Sequence, residues 1–418
     1  MKITNVKARE IFDSRGMPTL ECQIFLEHDF SVIASVPSGM SRGIHEAMEL
    51  RDGGSRLFGK GVLKAQTIIE TVFAPQLIGM SPDLLAIDHF MIEADGTVNK
   101  VKYGANTMLA VSMAVVKAQA LREHMEVYEC IAHLYGVQTV MMPYPLFNVI
   151  NGGVHADNNL AFQEFMILPI GGSNFRESLE LGALFFHELK NILVKSGKAL
   201  VYGDEGGLAC AFESEYEALD MLTETIARIG NGDLFRIALD IAASEFYNTT
   251  TQCYEFHDQF LTSEELVALY AKLIQTYPIF SLEDGLAQDD WQGWMHMKSV
   301  LGETIQLVGD DLFATSVQRI KHGITVNTAN AVLIKPNQVG TVTETLQAIQ
   351  LCYEQGLNPI ISHRSGETED TFIADLAVGT SAGQIKAGGL CRSERLAKYN
   401  RLLRIEDQLI LNILHDVY

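Results

Sequence analysis

Six charged side chains stand where apolar runs end: Asp240 after FRIAL, Glu283 after YPIFSL, Asp310 after IQLVG, Lys335 after AVLI, His363 after NPIIS and Lys386 after AGQI. Buried parallel strands read as continuous apolar runs, so each charge falls at the C-terminal end of such a strand. One instance would be the polar start of a loop. Six in succession are different, because the strand C-termini of a β/α barrel converge on the face where its chemistry takes place. Asp240, Glu283 and Asp310, brought together there, would repel one another unless a cation lay between them. Hard oxygen ligands without a cysteine cluster favour Mg2+ over Zn2+. Lys335 and Lys386 follow, with His363 and Arg364 between them. A lysine close to a divalent cation is pushed toward its neutral amine and can take a proton; the other cations would hold an anionic substrate. These residues describe a magnesium-dependent proton-abstraction site.

Two upstream segments add acids. VYGDEGG ends an apolar run with Asp204 and Glu205 in a glycine-rich turn, and AFQEFMILP carries Gln163 and Glu164 at the edge of an expected strand. Glycines after Glu205 would let the backbone approach a ligand closely.

The elements that must position these groups follow from the spacing. From Glu283 onward the strand-end charges lie 27, 25, 28 and 23 residues apart, which fits a strand, a loop and a helix per repeat. The intervening TVTETLQAIQLCYEQG (341–356) reads as a helix with a glycine stop. Closed parallel barrel geometry is therefore expected for 137–418, entered through MMPYPLF (141–147). Residues 1–136 mix alternating strands, TLECQIFL (19–26) and FSVIASVP (30–37), with a long Ala-rich helix over 106–124. The fold class is α/β: a C-terminal β/α (TIM) barrel with an N-terminal α+β capping domain.

The bulk composition agrees. The 418 residues are 47% hydrophobic and 20% charged, enough for a large buried core. With 31 basic against 52 acidic residues the formal charge is −21, which argues against direct nucleic-acid binding but not against a small anion in a locally positive pocket. Six scattered cysteines without CxxC spacing indicate free thiols in a reducing cytoplasm. No apolar run reaches the ~18 residues of a membrane span.

The chain resembles the enolase family, and its bacterial type, along almost its full length. The resemblance runs from AREIFDSRG (8–16) through SRGIHEAMELRDG (41–53), NGGVHADNN (151–159), GDEGG, SLEDGLAQDDW (281–291), LVGDDL and LIKPNQVGT to SHRSGETEDTFIADLAVG (362–379) and RSERLAKYNRLLRIED (392–407). It implies reversible dehydration of 2-phospho-D-glycerate to phosphoenolpyruvate in glycolysis and gluconeogenesis. It assigns Asp240, Glu283 and Asp310 to a tightly bound Mg2+ and Ser41 to a second, recruited with substrate. Lys335 becomes the base at C2, and Glu205, supported by Glu164, the acid that helps the C3 hydroxyl leave. Lys386 faces the substrate carboxylate, Arg364 and Ser365 bind the phosphate, Gln163 and His155 lie on a mobile loop, and His363 sits near the substrate. A homodimer or octamer of dimers is implied as well, in the cytoplasm.

Some wording departs from the family. SGMSRG (38–43) stands where SGASTG is usual, so Met40 and Arg42 flank Ser41 in place of small residues. Arg42 is expected to weaken the second Mg2+ or to contact phosphate itself. Met17, GGLC (388–391) and GGLAC (206–210) differ too. The alternatives are a specialised paralogue acting on a related phosphorylated or phosphonate carboxylate, and an additional role at the cell surface with host partners or as scaffold in an RNA-degrading assembly.

Overall fold

The computed structural model describes residues 1–40, 43–230 and 232–417, and side chains up to 411. The expected hairpin is present and a further strand precedes it: β1 (Ile3–Phe12), β2 (Pro18–Leu26) and β3 (Ser31–Ser35) form an antiparallel sheet in chain order. Alternation along β2 puts Leu20, Cys22, Ile24 and Leu26 on one face, all buried. That face meets α1 (Ala105–Glu123), the helix expected from the Ala-rich run. Fifteen of its 19 residues are buried, so it is a central helix covered all round rather than an amphipathic surface one. Its small residues permit close contacts: a Cβ on Gly340, in the loop after Lys335, would lie 3.0 Å from Ala105 Cα. The N-terminal domain thus backs directly onto a loop that leaves the barrel's mouth.

Eight strands close the barrel: β4 (Tyr144–Asn151), β5 (Glu164–Pro169), β6 (Phe235–Asp240), β7 (Ile279–Glu283), β8 (Gln306–Gly309), β9 (Ala331–Ile334), β10 (Asn358–Ser362) and β11 (Gln384–Lys386). The expectation of an all-parallel barrel is corrected here. β5 runs antiparallel to both β4 and β6, joined to β4 by the hairpin loop 152–163 instead of a crossover helix. The consequence is functional. In an antiparallel strand the first residue, not the last, lies at the mouth, and the register pairs Glu164 with both Asn151 and Asp240. Inside, Leu146, Met166, Leu168, Ala238, Val308, Ala331, Leu333 and Ile360 pack into an apolar plug, so the barrel is filled and its chemistry is confined to the rim. Among the described residues no helix is long and apolar enough to cross a membrane. The helix after β9 spans Val342–Glu354, with Thr341 accepting the N-terminal amide of Glu344 as its cap.

Candidate active site at the barrel mouth

All six strand-end charges reach the mouth: Asp240, Glu283 and Lys386 as last strand residues, Asp310, Lys335 and His363 as the residues immediately after. One cavity is lined by Asp240, Asp310, Lys335, His363, Arg364, Ser365 and Lys386 together with His155, Gln163, Glu164 and Glu205. Glu283 joins this group through Lys386. Ser41 and Arg42 lie outside the described residues.

On one wall, carboxylates enclose ammonium groups. Lys386 Nζ lies 2.8 Å from Glu283 Oε1, 2.9 Å from Asp240 Oδ2 and 3.2 Å from Glu164 Oε1. Lys335 is ion-paired with Asp310, whose other oxygen accepts from Gln338 Nε2 at 2.9 Å. Thr315 Oγ1 ties this corner together, donating to Gln338 Oε1 at 2.6 Å and accepting from the Lys335 amide at 2.9 Å. Three carboxylates around one ammonium cannot all be comfortable as anions. Burial, and then the charge of Asp240, push Glu283 well above the usual carboxylate range. Burial acts against a charged Lys386 as well, but Asp240, Glu164 and Glu283 outweigh it and hold its pKa well above the ordinary lysine value.

Asp284, left-handed at φ 42°, extends the acidic surplus. Its carboxylate accepts the amides of Asp310 at 2.9 Å and Asp311 at 2.8 Å, clamping the ends of β7 and β8 together. The oxygens of Asp284, Asp310 and Asp311 lie within 4.8 Å of one another. This excess of hard oxygen donors, already drawing two ammonium groups inward, suits a divalent cation such as Mg2+.

The opposite wall is quieter. Glu205 accepts from Asn148 Nδ2 at 3.2 Å and stands 3.7 Å from both His155 Nδ1 and His363 Nε2. Glu164 is its neighbour. Burial and the charge of Glu205 raise Glu164 well above the carboxylate range. Burial would raise Glu205 too, but His155, His363 and Arg395 act the other way and leave it well below. The two acids are coupled, so that ionisation of one disfavours ionisation of the other and the pair favours holding one proton between them. His155 Nδ1, Glu164 Oε2 and Gln163 Oε1 are buried without a hydrogen-bond partner among the described residues, and such atoms carry a desolvation cost until something bonds them.

The glycines after Glu205 also have a packing role. They let chain approach chain: a Cβ on Gly206 (φ +89°) would lie 2.9 Å from Cys391 O, and Gly389 N donates to Glu205 O at 2.7 Å. The acid turn is thereby seated on the segment after β11.

At the third side, Arg364 is held by Glu46 at 2.9 and 3.1 Å and donates to Asn337 Oδ1 at 3.1 Å. Ser365 Oγ accepts from the Met40 amide at 2.8 Å and from Arg15 Nη1 at 3.3 Å. Sequence reasoning gave no role to Arg15, Glu46, Asn148, Asn337, Gln338 or Arg395. All but Asn148 lie inside the family-like strings, which was the signal available for them; FNVIN offers none.

Residues 3–131 match the family model described as "Enolase, N-terminal domain", and residues 139–415 match that described as "Enolase, C-terminal TIM barrel domain".

Proposed function

The chain belongs to the enolase family, metal-dependent lyases built on this barrel, and from that premise we propose that it dehydrates 2-phospho-D-glycerate reversibly to phosphoenolpyruvate. The observation that carries the reading is the division of one cavity into a wall of ammonium groups among surplus carboxylates and a wall with a one-proton carboxyl dyad. A base and an acid need environments that push their pKa values apart, and the general pairing of a lysine base with Mg2+ in the enolase superfamily is itself a known pattern.

Lys335 is the base. Burial, Arg364 and Lys386 all favour its neutral amine, and the charge of Asp310 overrides them and keeps it protonated in the ion pair. With a cation on Asp310 and Glu283, the two groups that raise it, burial, Arg364 and Lys386 would dominate and favour the neutral amine, whose lone pair could take the proton at C2. Asp240, Glu283 and Asp310 would hold Mg2+, with Ser41 serving a second ion that arrives with substrate. Bound there, the metal supplies positive charge beside the substrate carboxylate, which acidifies C2 and stabilises the dianionic product of proton removal. Lys386 remains charged and faces the same carboxylate. Glu205 delivers a proton to the departing C3 hydroxyl, and Glu164, coupled to it, supports the protonated form of the pair. Gln163 and His155, both on the 152–163 loop, meet the hydroxyl-bearing end. Arg364, pre-set by Glu46 and Asn337, and Ser365 receive the phosphate.

On this reading the chain divides at 136/137, acts in the cytoplasm and assembles as a homodimer or octamer. The test is a coupled assay for phosphoenolpyruvate formed from 2-phosphoglycerate with Mg2+; no turnover of that substrate would overturn it. Met40 favours a second reading to run alongside. Its side chain lines the cavity where the family wording has a small residue, so related phosphorylated and phosphonate carboxylates belong in the same assay.

A further inference from the structure

The C-terminal helix, Ser393–Val417, carries buried charges that the proposed chemistry does not use. Arg395 is fully buried and Lys398 nearly so. Arg395 Nη1 lies 2.6 Å from His363 Nδ1 and 2.6 Å from Arg364 O. Its Nη2 donates to Ser365 O at 2.6 Å and to Asp204 O at 3.0 Å. One guanidinium therefore ties the turn that presents Glu205 to the loop that presents His363, Arg364 and Ser365.

A guanidinium only donates and stays protonated, so His363 Nδ1 must accept. The ring's single proton then sits on Nε2, the atom 3.7 Å from Glu205 Oε2. We infer that Arg395 is a positioning residue that fixes His363 as the neutral Nε2–H tautomer, so that a hydrogen-bond donor and not a second positive charge faces Glu205. The catalytic consequence rests on the acid role proposed for Glu205. An imidazolium there would favour the ionised carboxylate and oppose its use as an acid, whereas the other tautomer would turn a lone pair toward the carboxylate. Burial, the largest influence on His363, also keeps its pKa well below the ordinary imidazole value. Lys398, one helical turn on, bonds Glu367 at 2.8 Å and Thr368 O at 2.5 Å, so the loop keeps a second anchor when Arg395 is changed.

The test is 15N-histidine NMR of the full chain without metal or substrate, with His363 assigned by the signal lost in His363→Gln. Wild type is expected to show a protonated Nε2 and an unprotonated Nδ1 between about pH 6 and 8. Arg395→Gln and Arg395→Met, which remove the donor-only cation, should give a tautomer mixture or a second ring proton in that range. Their kcat for 2-phosphoglycerate should fall about 10–100-fold, the usual cost of losing a partner that orients a working histidine. In a His363→Gln background, Arg395→Met should cost little more. A wild-type His363 protonated at Nδ1, an unchanged tautomer in both Arg395 variants, or fully additive losses would each overturn the inference. If both variants fail to fold, the wild-type spectrum alone decides. Wild type with the expected tautomer but no turnover of 2-phosphoglycerate would overturn the assigned reaction and leave the Arg395–His363 arrangement standing.

Discussion

The two walls of the cavity handle buried charge in opposite ways. Around Lys386 and Lys335, carboxylates touch ammonium groups at hydrogen-bond distance, and the surplus acid is contained by raising Glu283. Around Glu205 the contacts to His155 and His363 stretch to 3.7 Å, polar atoms lack hydrogen-bond partners among the described residues, and two coupled acids favour holding one proton between them. On the proposed reaction the first wall would exchange one cation for another and the second would move a proton. The longer distances leave Glu205 freer to hold a proton than a carboxylate locked to a full positive charge, whereas its partner Glu164 is also paired with Lys386 at 3.2 Å.

The sharpest way to break this comparison is to withdraw divalent cations. Activity should fall to background with a chelator and return with Mg2+. Mg2+ should also raise the melting temperature of wild type by mass action, and much less that of Asp240→Asn. A melting temperature indifferent to Mg2+ would mean that the carboxylate wall is structural.

Next in size are the two proton-handling groups. Lys335→Ala and Glu205→Gln should each lower kcat by about 10²–10⁴-fold, the range for a positioned base or acid. They should differ in solvent deuterium exchange at C2: lost in Lys335→Ala, retained in Glu205→Gln. Loss of exchange in both would mean that the walls do not divide the chemistry as proposed.

A buried acid without an ion-pair partner among the described residues supplies the contrast. Asp88, where the N-terminal domain meets the barrel, accepts from Ser112 Oγ and the Thr343 amide at 2.9 Å each. Burial pushes it up to about 6. The folded state therefore binds more protons than the unfolded one between about pH 4 and 6, and stability falls as pH rises through that window, then levels off. Asp88→Asn should remove about 2–3 kcal/mol of the fall in stability between about pH 4 and 7.5, read from urea unfolding at the two pH values. An unchanged pH dependence would mean that burial does not hold Asp88 above the usual carboxylate range.

The smallest effect is expected at the seat of the acid turn. Cys391 Sγ reaches Gly206 O at 3.1 Å, a weak donor contact. Cys391→Ala should cost less than about 1 kcal/mol and leave kcat nearly unchanged. A large loss of kcat would mean that the acid wall depends on that thiol.

The sequence by itself determined the strand-end residues, because a charge closing an apolar run is a local pattern and a barrel carries every such end to one face. Asp240, Glu283, Asp310, Lys335, His363 and Lys386 all follow from it, as do the helices over 106–124 and 341–356. Tertiary structure alone decided the rest. The antiparallel direction of β5 is what brings Glu164 to the mouth, since periodicity reports that a strand exists and not which way it runs. Glu46 holds Arg364 across 318 residues, Arg15 reaches Ser365 across 350, and Arg395 settles the proton of His363 from the last helix. Such contacts leave no local trace. A residue type at one position says what bonds it can make, but only the packed chain brings the partner that decides which bond is made.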